Sequence, residues 1–189
     1  MINVSTRAQL AVGIALAALM AMTRGQHFAS VNLPSASWAV FFLAGVLLAP
    51  RWVFPALFVE ASLLDFAAIE WQGVSSYCLS PAYWMLVPAY GALWFGGRVY
   101  ARLHRDQLTS LALLAGCMML SAFVCYLFSG GGFLFFSGRY PDPSLAQLSE
   151  RIGTYYPQYL TNLTLYVGIA ACVYIGLRAW TVGREGARA

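Results

Sequence analysis

Six apolar stretches occupy most of this chain, at residues 8–23, 34–49, 52–69, 81–97, 107–128 and 157–177. Runs of this length that are apolar on every side have no face for water, so they belong in a bilayer. The charge content agrees: 10% of the 189 residues are charged, where a soluble domain carries about 25%. The expected fold is all-α, a polytopic membrane protein of six transmembrane helices forming one domain over 1–189. Proline opens or closes several of the runs, as expected where a helix starts or stops. The first run reads as a retained span, not a removed signal peptide, because Arg24 closes it and no small-x-small cleavage site follows.

The basic charge orients the bundle. The net charge of +4 comes from arginine alone, since the sequence has no lysine. That excludes a P-loop lysine and a Schiff-base lysine, and no GxxxxGK[ST] occurs. With six spans both termini share a side. That side holds Arg7, Arg51, Arg98, Arg102, Arg105, Arg178, Arg184 and Arg188, against Arg24, Arg139 and Arg151 on the other. Eight against three places both termini in the cytoplasm. The charge thus concerns a lipid bilayer, and no nucleic-acid partner is expected. Three segments fall outside: 24–33, 70–80 and 129–156.

The last of these is long for a link between helices, and such connections are usually functional or disordered. It carries FLFF, Tyr140, Tyr155 and Tyr156, a composition that argues against disorder. Two readings stay open. One is an external loop or lid over 129–156, hinged at Gly130, Gly131 and Gly132, with a short surface helix over 144–155. The other is a segment resting among lipid headgroups, where tyrosine is common.

The outer surface also receives an isolated thiol. Cys78 lies in the polar turn SSYCLSPAYW, far in sequence from Cys117, Cys125 and Cys172. The last three fall inside apolar runs, where packing is the expected role. No CxxC is present, which weighs against a dithiol redox site. Cys78 is either a small filler or a soft thiolate ligand for a metal already held by another scaffold. Asp65, near the outer end of the third run, is costly in lipid and therefore functional, or else an ion-pair partner that fixes helix packing. Glu60, deeper in the same run, must face the bundle interior. Arg151 is a partner for Asp65, a contact for an anionic ligand, or a solvated charge. His27 and His104 fall on opposite sides and cannot share a metal. Ala11 and Ala15, one helical turn apart, permit close approach of another helix, inside or outside the bundle.

Six spans, an alanine-xxx-alanine first helix and an aromatic outer segment resemble the substrate-binding S-components of energy-coupling-factor (ECF) vitamin transporters. At Asp65, Cys78 in SYCLSP, Tyr83 and Arg151, the chain resembles the BtuM-type cobalamin transporters, solitary S-component-like proteins of Gram-negative bacteria, over essentially its whole length. The resemblance implies uptake of vitamin B12 across the bacterial inner membrane, with cobalamin as the transported ligand and no resident cofactor. It implies Cys78 as the axial ligand of the corrinoid cobalt, with thiol-assisted removal of cyanide from cyanocobalamin. Asp65, Tyr83 and Arg151 would belong to the same binding region. The Ala11/Ala15 face would dock on a transmembrane coupling subunit, although solitary members are proposed to work without one. Two other classes remain: a membrane sensory module, suggested by NLPSASWAVFFLAGVLL, and a thiol-dependent membrane oxidoreductase, which lacks a second external cysteine.

Overall fold

The computed structural model describes residues 5–24, 33–72, 80–105, 107 and 109–186. Among these, every regular element is a helix. We number them α1 (Thr6–Arg24), α2 (Ser37–Leu47), α3 (Val53–Gln72), α4 (Leu86–Leu103), α5 (Thr109–Phe136) and α6 (Leu145–Gly186). A 3-10 turn, Pro81–Met85, leads into α4. Three helical stretches are long and apolar enough to cross a membrane: Thr6–Arg24, Thr109–Phe136 and Leu145–Leu177. Helix α3 has the length, but Glu60, Asp65 and Glu70 interrupt its apolar character.

Helix α2 is the centre of the bundle. It has eleven residues and no charge, and every residue from Ser37 to Gly45 is buried. A helix that is apolar all round belongs in a protein core or in lipid, and here α1, α3, α4 and α6 enclose it. Against α4 the approach is backbone to backbone. A Cβ on Gly97 would run into the carbonyl of Phe42, and one on Gly45 into the carbonyl of Trp94. Phe41 stacks on Tyr90 with ring centres 4.4 Å apart beside this seam. The outer faces are unlike those of a soluble protein. Leu10 and Ile14 of α1, Val59, Leu63 and Phe66 of α3, and Leu165, Ile169 and Val173 of α6 are all exposed. Exposed apolar side chains in this number mark faces that meet a membrane or another protein.

The region between the fifth and sixth runs is more helical than its glycines and prolines suggest. Helix α5 continues through a π-helical turn at Leu127–Gly131 and ends at Phe136. Gly138, with φ of +69°, then turns the chain in the left-handed conformation that suits glycine. Ser144 and Gln147 form a reciprocal capping box: the Gln147 amide donates to Ser144 Oγ, and the Ser144 amide donates to Gln147 Oε1, both at 3.3 Å. From there α6 runs for 42 residues straight through Pro157. The connection expected over 129–156 is therefore two helix extensions and an eight-residue turn. The three glycines lie in helix where a loop hinge was expected, and the short surface helix is the start of α6. Proline lacks an amide hydrogen, but the helix around Pro157 is held from outside. Tyr156 donates from its hydroxyl to the Met119 carbonyl (3.0 Å) and meets the Phe123 and Tyr126 rings edge-on.

The cysteines divide differently from the sequence expectation. Cys125 is buried, Cys117 is half-buried and Cys172 is exposed. Cys172 lies on the uncovered side of α6, so it faces the bundle's surroundings and packs no core. Ala11 and Ala15 are also exposed. Their face points out of the bundle instead of receiving a neighbouring helix within it.

Candidate functional site

One end of the bundle collects the C-termini of α1 and α3, the N-terminus of α2 and the turn before α4. These four chain ends build a polar cluster around Asp65. Arg24, in the last turn of α1, donates from Nε to Asp65 Oδ1 and from Nη2 to Oδ2, both at 2.7 Å. This is the planar two-point contact that guanidinium makes with carboxylate. Arg24 Nη1 donates to the hydroxyls of Ser37 and Tyr90, each at 2.9 Å. Tyr83 donates from its hydroxyl to Asp65 Oδ2 at 2.9 Å. The arginine side chain is 13% exposed and the aspartate 26%, so the carboxylate is the more open partner. Four N–H groups of Arg24 are occupied, and its charge is opposed by one carboxylate.

Local sequence explains the geometry. Arg24 comes where the apolar α1 run ends, and a cation there also suits the negative end of the helix. Ser37 opens α2 and presents its hydroxyl to the same point. Pro81 at the start of the 3-10 turn fixes the chain before Tyr83. Tyr90 follows two helical turns later and is buried, so its hydroxyl needs a partner, which Arg24 supplies.

Asp65 and Tyr83, both singled out from sequence, are thus in direct contact. Arg151 is engaged elsewhere. Its Nη1 donates to the Tyr140 hydroxyl (3.0 Å), and its guanidinium lies 5.3 Å from the ring centres of both Tyr140 and Tyr155. Its backbone carbonyl accepts from the buried Tyr126 hydroxyl (2.9 Å). Arg151 Nε is buried without a hydrogen-bond partner. The arginine that pairs with Asp65 is Arg24, which sequence reading placed on the same side without a role. The three arginines that the charge bias assigns to the outer side were the available signal; choosing among them needed the packing of α1 against α3. Cys78 and His27 lie outside the described residues. His104 is at the opposite end, where its Nδ1 and the Tyr100 hydroxyl are 2.9 Å apart.

The cluster can do two things chemically. It clamps α1, α2, α3 and α4 together through one part-buried charge pair and the hydroxyls of Ser37, Tyr83 and Tyr90. It also presents a partly open carboxylate and a tyrosine hydroxyl, able to accept and donate hydrogen bonds to a polar ligand rim. Comparison with protein-family models finds no match, and comparison with curated proteins finds none either.

Proposed function

We propose that this chain binds a cobalt corrinoid, vitamin B12, at the Asp65 end and carries it across a bacterial inner membrane. The observation that carries the reading is the Tyr83 hydroxyl on Asp65 at 2.9 Å, with Cys78 only five residues before Tyr83 in the chain. Five residues reach at most about 18 Å, so a thiol and a partly open carboxylate are tethered to one end of the bundle. Cobalamin is a flat ring with amides around its rim and cobalt at its centre. The Cys78 thiolate is a soft ligand for that cobalt. A cyanide already on the metal is loosened or replaced, leaving with its electron pair. Asp65 accepts from rim amides. The Arg151 guanidinium, held between Tyr140 and Tyr155, supplies a cation suited to the phosphate of the nucleotide loop.

In the same reading the chain crosses the membrane six times, with both termini inside. Helix α3 has 20 residues, a length of about 30 Å and so about one hydrocarbon core. Trp52 just before it and Trp71 near its far end are 67% and 81% exposed, as in the aromatic belts at membrane boundaries. Trp84, also exposed, stands at the Asp65 end. Helix α6 is longer than one crossing, and its first turns and the end of α5 carry Phe136 and Tyr155 exposed. In this reading these aromatics form the lid that covers the ring. The outward Ala11/Ala15 face is where a transmembrane coupling subunit would dock.

A membrane-impermeant thiol reagent on intact spheroplasts should modify the peptide containing Cys78, and added hydroxocobalamin should protect it. Modification only after lysis would reverse the topology. Modification unaffected by cobalamin would remove Cys78 from the site.

A further inference from the structure

At the end of the bundle opposite Asp65, a cleft of about 480 Å³ opens between α2, α4, α5 and α6. Its walls are apolar: Val46 and Leu47 from α2, Leu111 and Leu114 from α5, Ala171 and Ile175 from α6. Leu111 and Ile175 are more than half exposed, at 54% and 58%. They belong to the same outward apolar surface as the rest of α5 and α6. The cleft therefore opens sideways, toward the bundle's apolar surroundings. One margin is polar and carries His104, Arg105 and Gln107. That margin is built rigidly: Ser110 Oγ accepts from the Arg105 amide (3.0 Å) and donates to the Arg105 carbonyl. The Arg105 side chain is exposed. The chain leading to it places Arg98, Arg102 and Arg105 within eight residues, against one acid, Asp106, which lies outside the described residues.

The geometry points to an anionic phospholipid as the occupant of this cleft, with one acyl chain between α5 and α6 and its phosphate at Arg105. Apolar walls with a single basic margin match a molecule with an apolar tail and a negative head. A cleft open sideways to the bilayer receives such a molecule without passage through water. The arginine-rich end is the cytoplasmic end by the positive-inside bias, and basic side chains at a membrane surface attract anionic headgroups. One turn of a transmembrane helix, about 10–12 Å across and 5.4 Å high, fills about 400–600 Å³, so a cleft of about 480 Å³ holds no more than about a single turn. The bound lipid would fill the gap between the inner halves of α5 and α6 and brace α2 from that side. The inference rests on the membrane reading and is independent of the corrinoid.

The test is native mass spectrometry of the full chain in detergent, titrated with phosphatidylglycerol or with phosphatidylcholine of identical acyl chains. One arginine–phosphate contact near a membrane surface predicts about fivefold tighter retention of phosphatidylglycerol. Arg105→Gln should remove that preference while leaving the weaker, tail-driven binding. Ala171→Trp, which fills the cleft, should remove retention of both lipids, and Ala171→Phe serves if the larger residue disrupts folding. Equal retention of the two lipids by the wild-type chain overturns the proposal. So does undiminished phosphatidylglycerol retention in a folded cleft-filling variant. Arg105 is exposed, so the headgroup comparison stands even if both filled variants misfold.

Discussion

Asp65→Ala should cost about 3 kcal/mol of folding stability, because it strands the Arg24 guanidinium in a largely buried position without its counter-charge. The loss is greater than that of one hydrogen bond. Arg24 keeps only Ser37 and Tyr90 as neutral partners, and Tyr83 loses its acceptor as well. Reversible unfolding in mixed detergent micelles reads the change. The double variant Arg24→Leu/Asp65→Leu should recover most of it, since removing both charges removes the desolvation penalty along with the attraction. A double variant as unstable as Asp65→Ala would mean that the pair is not the source of the loss. The same pair bears on ligand binding. In this structure Arg24 occupies both Asp65 oxygens, so in the proposed complex a corrinoid amide would use a remaining lone pair or displace part of that contact. Arg24→Gln should therefore change affinity as well as stability, whereas an arginine with a purely structural role would leave affinity alone in the folded fraction.

An equally large effect is expected at the α2–α4 seam. Gly97→Leu places a side chain where the Phe42 carbonyl and the Gly45 backbone already stand. Overpacking between side chains costs about 1–3 kcal/mol. Here the obstructing atoms are backbone, which has no rotamer into which to retreat. The variant should fail to accumulate as a folded monodisperse protein. Gly168→Ala is the control, since nothing lies within 4 Å of a Cβ at that position, and it should match or slightly exceed the wild type in stability. Equal yields and unfolding midpoints for Gly97→Leu and Gly168→Ala would contradict the close packing of these helices.

These two sites show what was legible in the chain before folding. The six helical segments follow from apolar runs, and each run overlaps one of α1 to α6. Their ends depend on contacts that hydropathy does not encode. Gly130, Gly131, Gly132 and Pro157 read locally as breakers, yet helix persists through all four. The π-helical turn keeps the glycines hydrogen-bonded, and Tyr156 anchors the chain beside Pro157. The start of α6 was readable in principle, because Ser144 followed three residues later by Gln147 is a capping-box pattern. Asp65 stood out because an ionisable side chain in an apolar run needs a partner, whereas Tyr83 was singled out only by the resemblance to cobalamin transporters. The identity of the partner was not readable. Arg24 is 41 residues from Asp65, and only the packing of α1 on α3 selects it over Arg139 and Arg151. The Gly45–Gly97 contact was hidden for the same reason, since two glycines 52 positions apart carry no pairing signal in a single sequence.

The corrinoid account rests on the cobalt–sulfur bond, and an absorption spectrum tests it directly. Hydroxocobalamin added to the purified wild-type chain should show shifted corrin bands, because a thiolate changes the ligand field of the metal. Serine is nearly the same size, but its oxygen is harder and far less acidic. Cys78→Ser should therefore bind, if at all, without the shift, and should not remove cyanide from cyanocobalamin. Asp65→Asn should weaken binding while leaving the shifted spectrum unchanged in the complex that forms. A Cys78→Ser protein that shows the wild-type spectrum and removes cyanide at the wild-type rate would contradict the account.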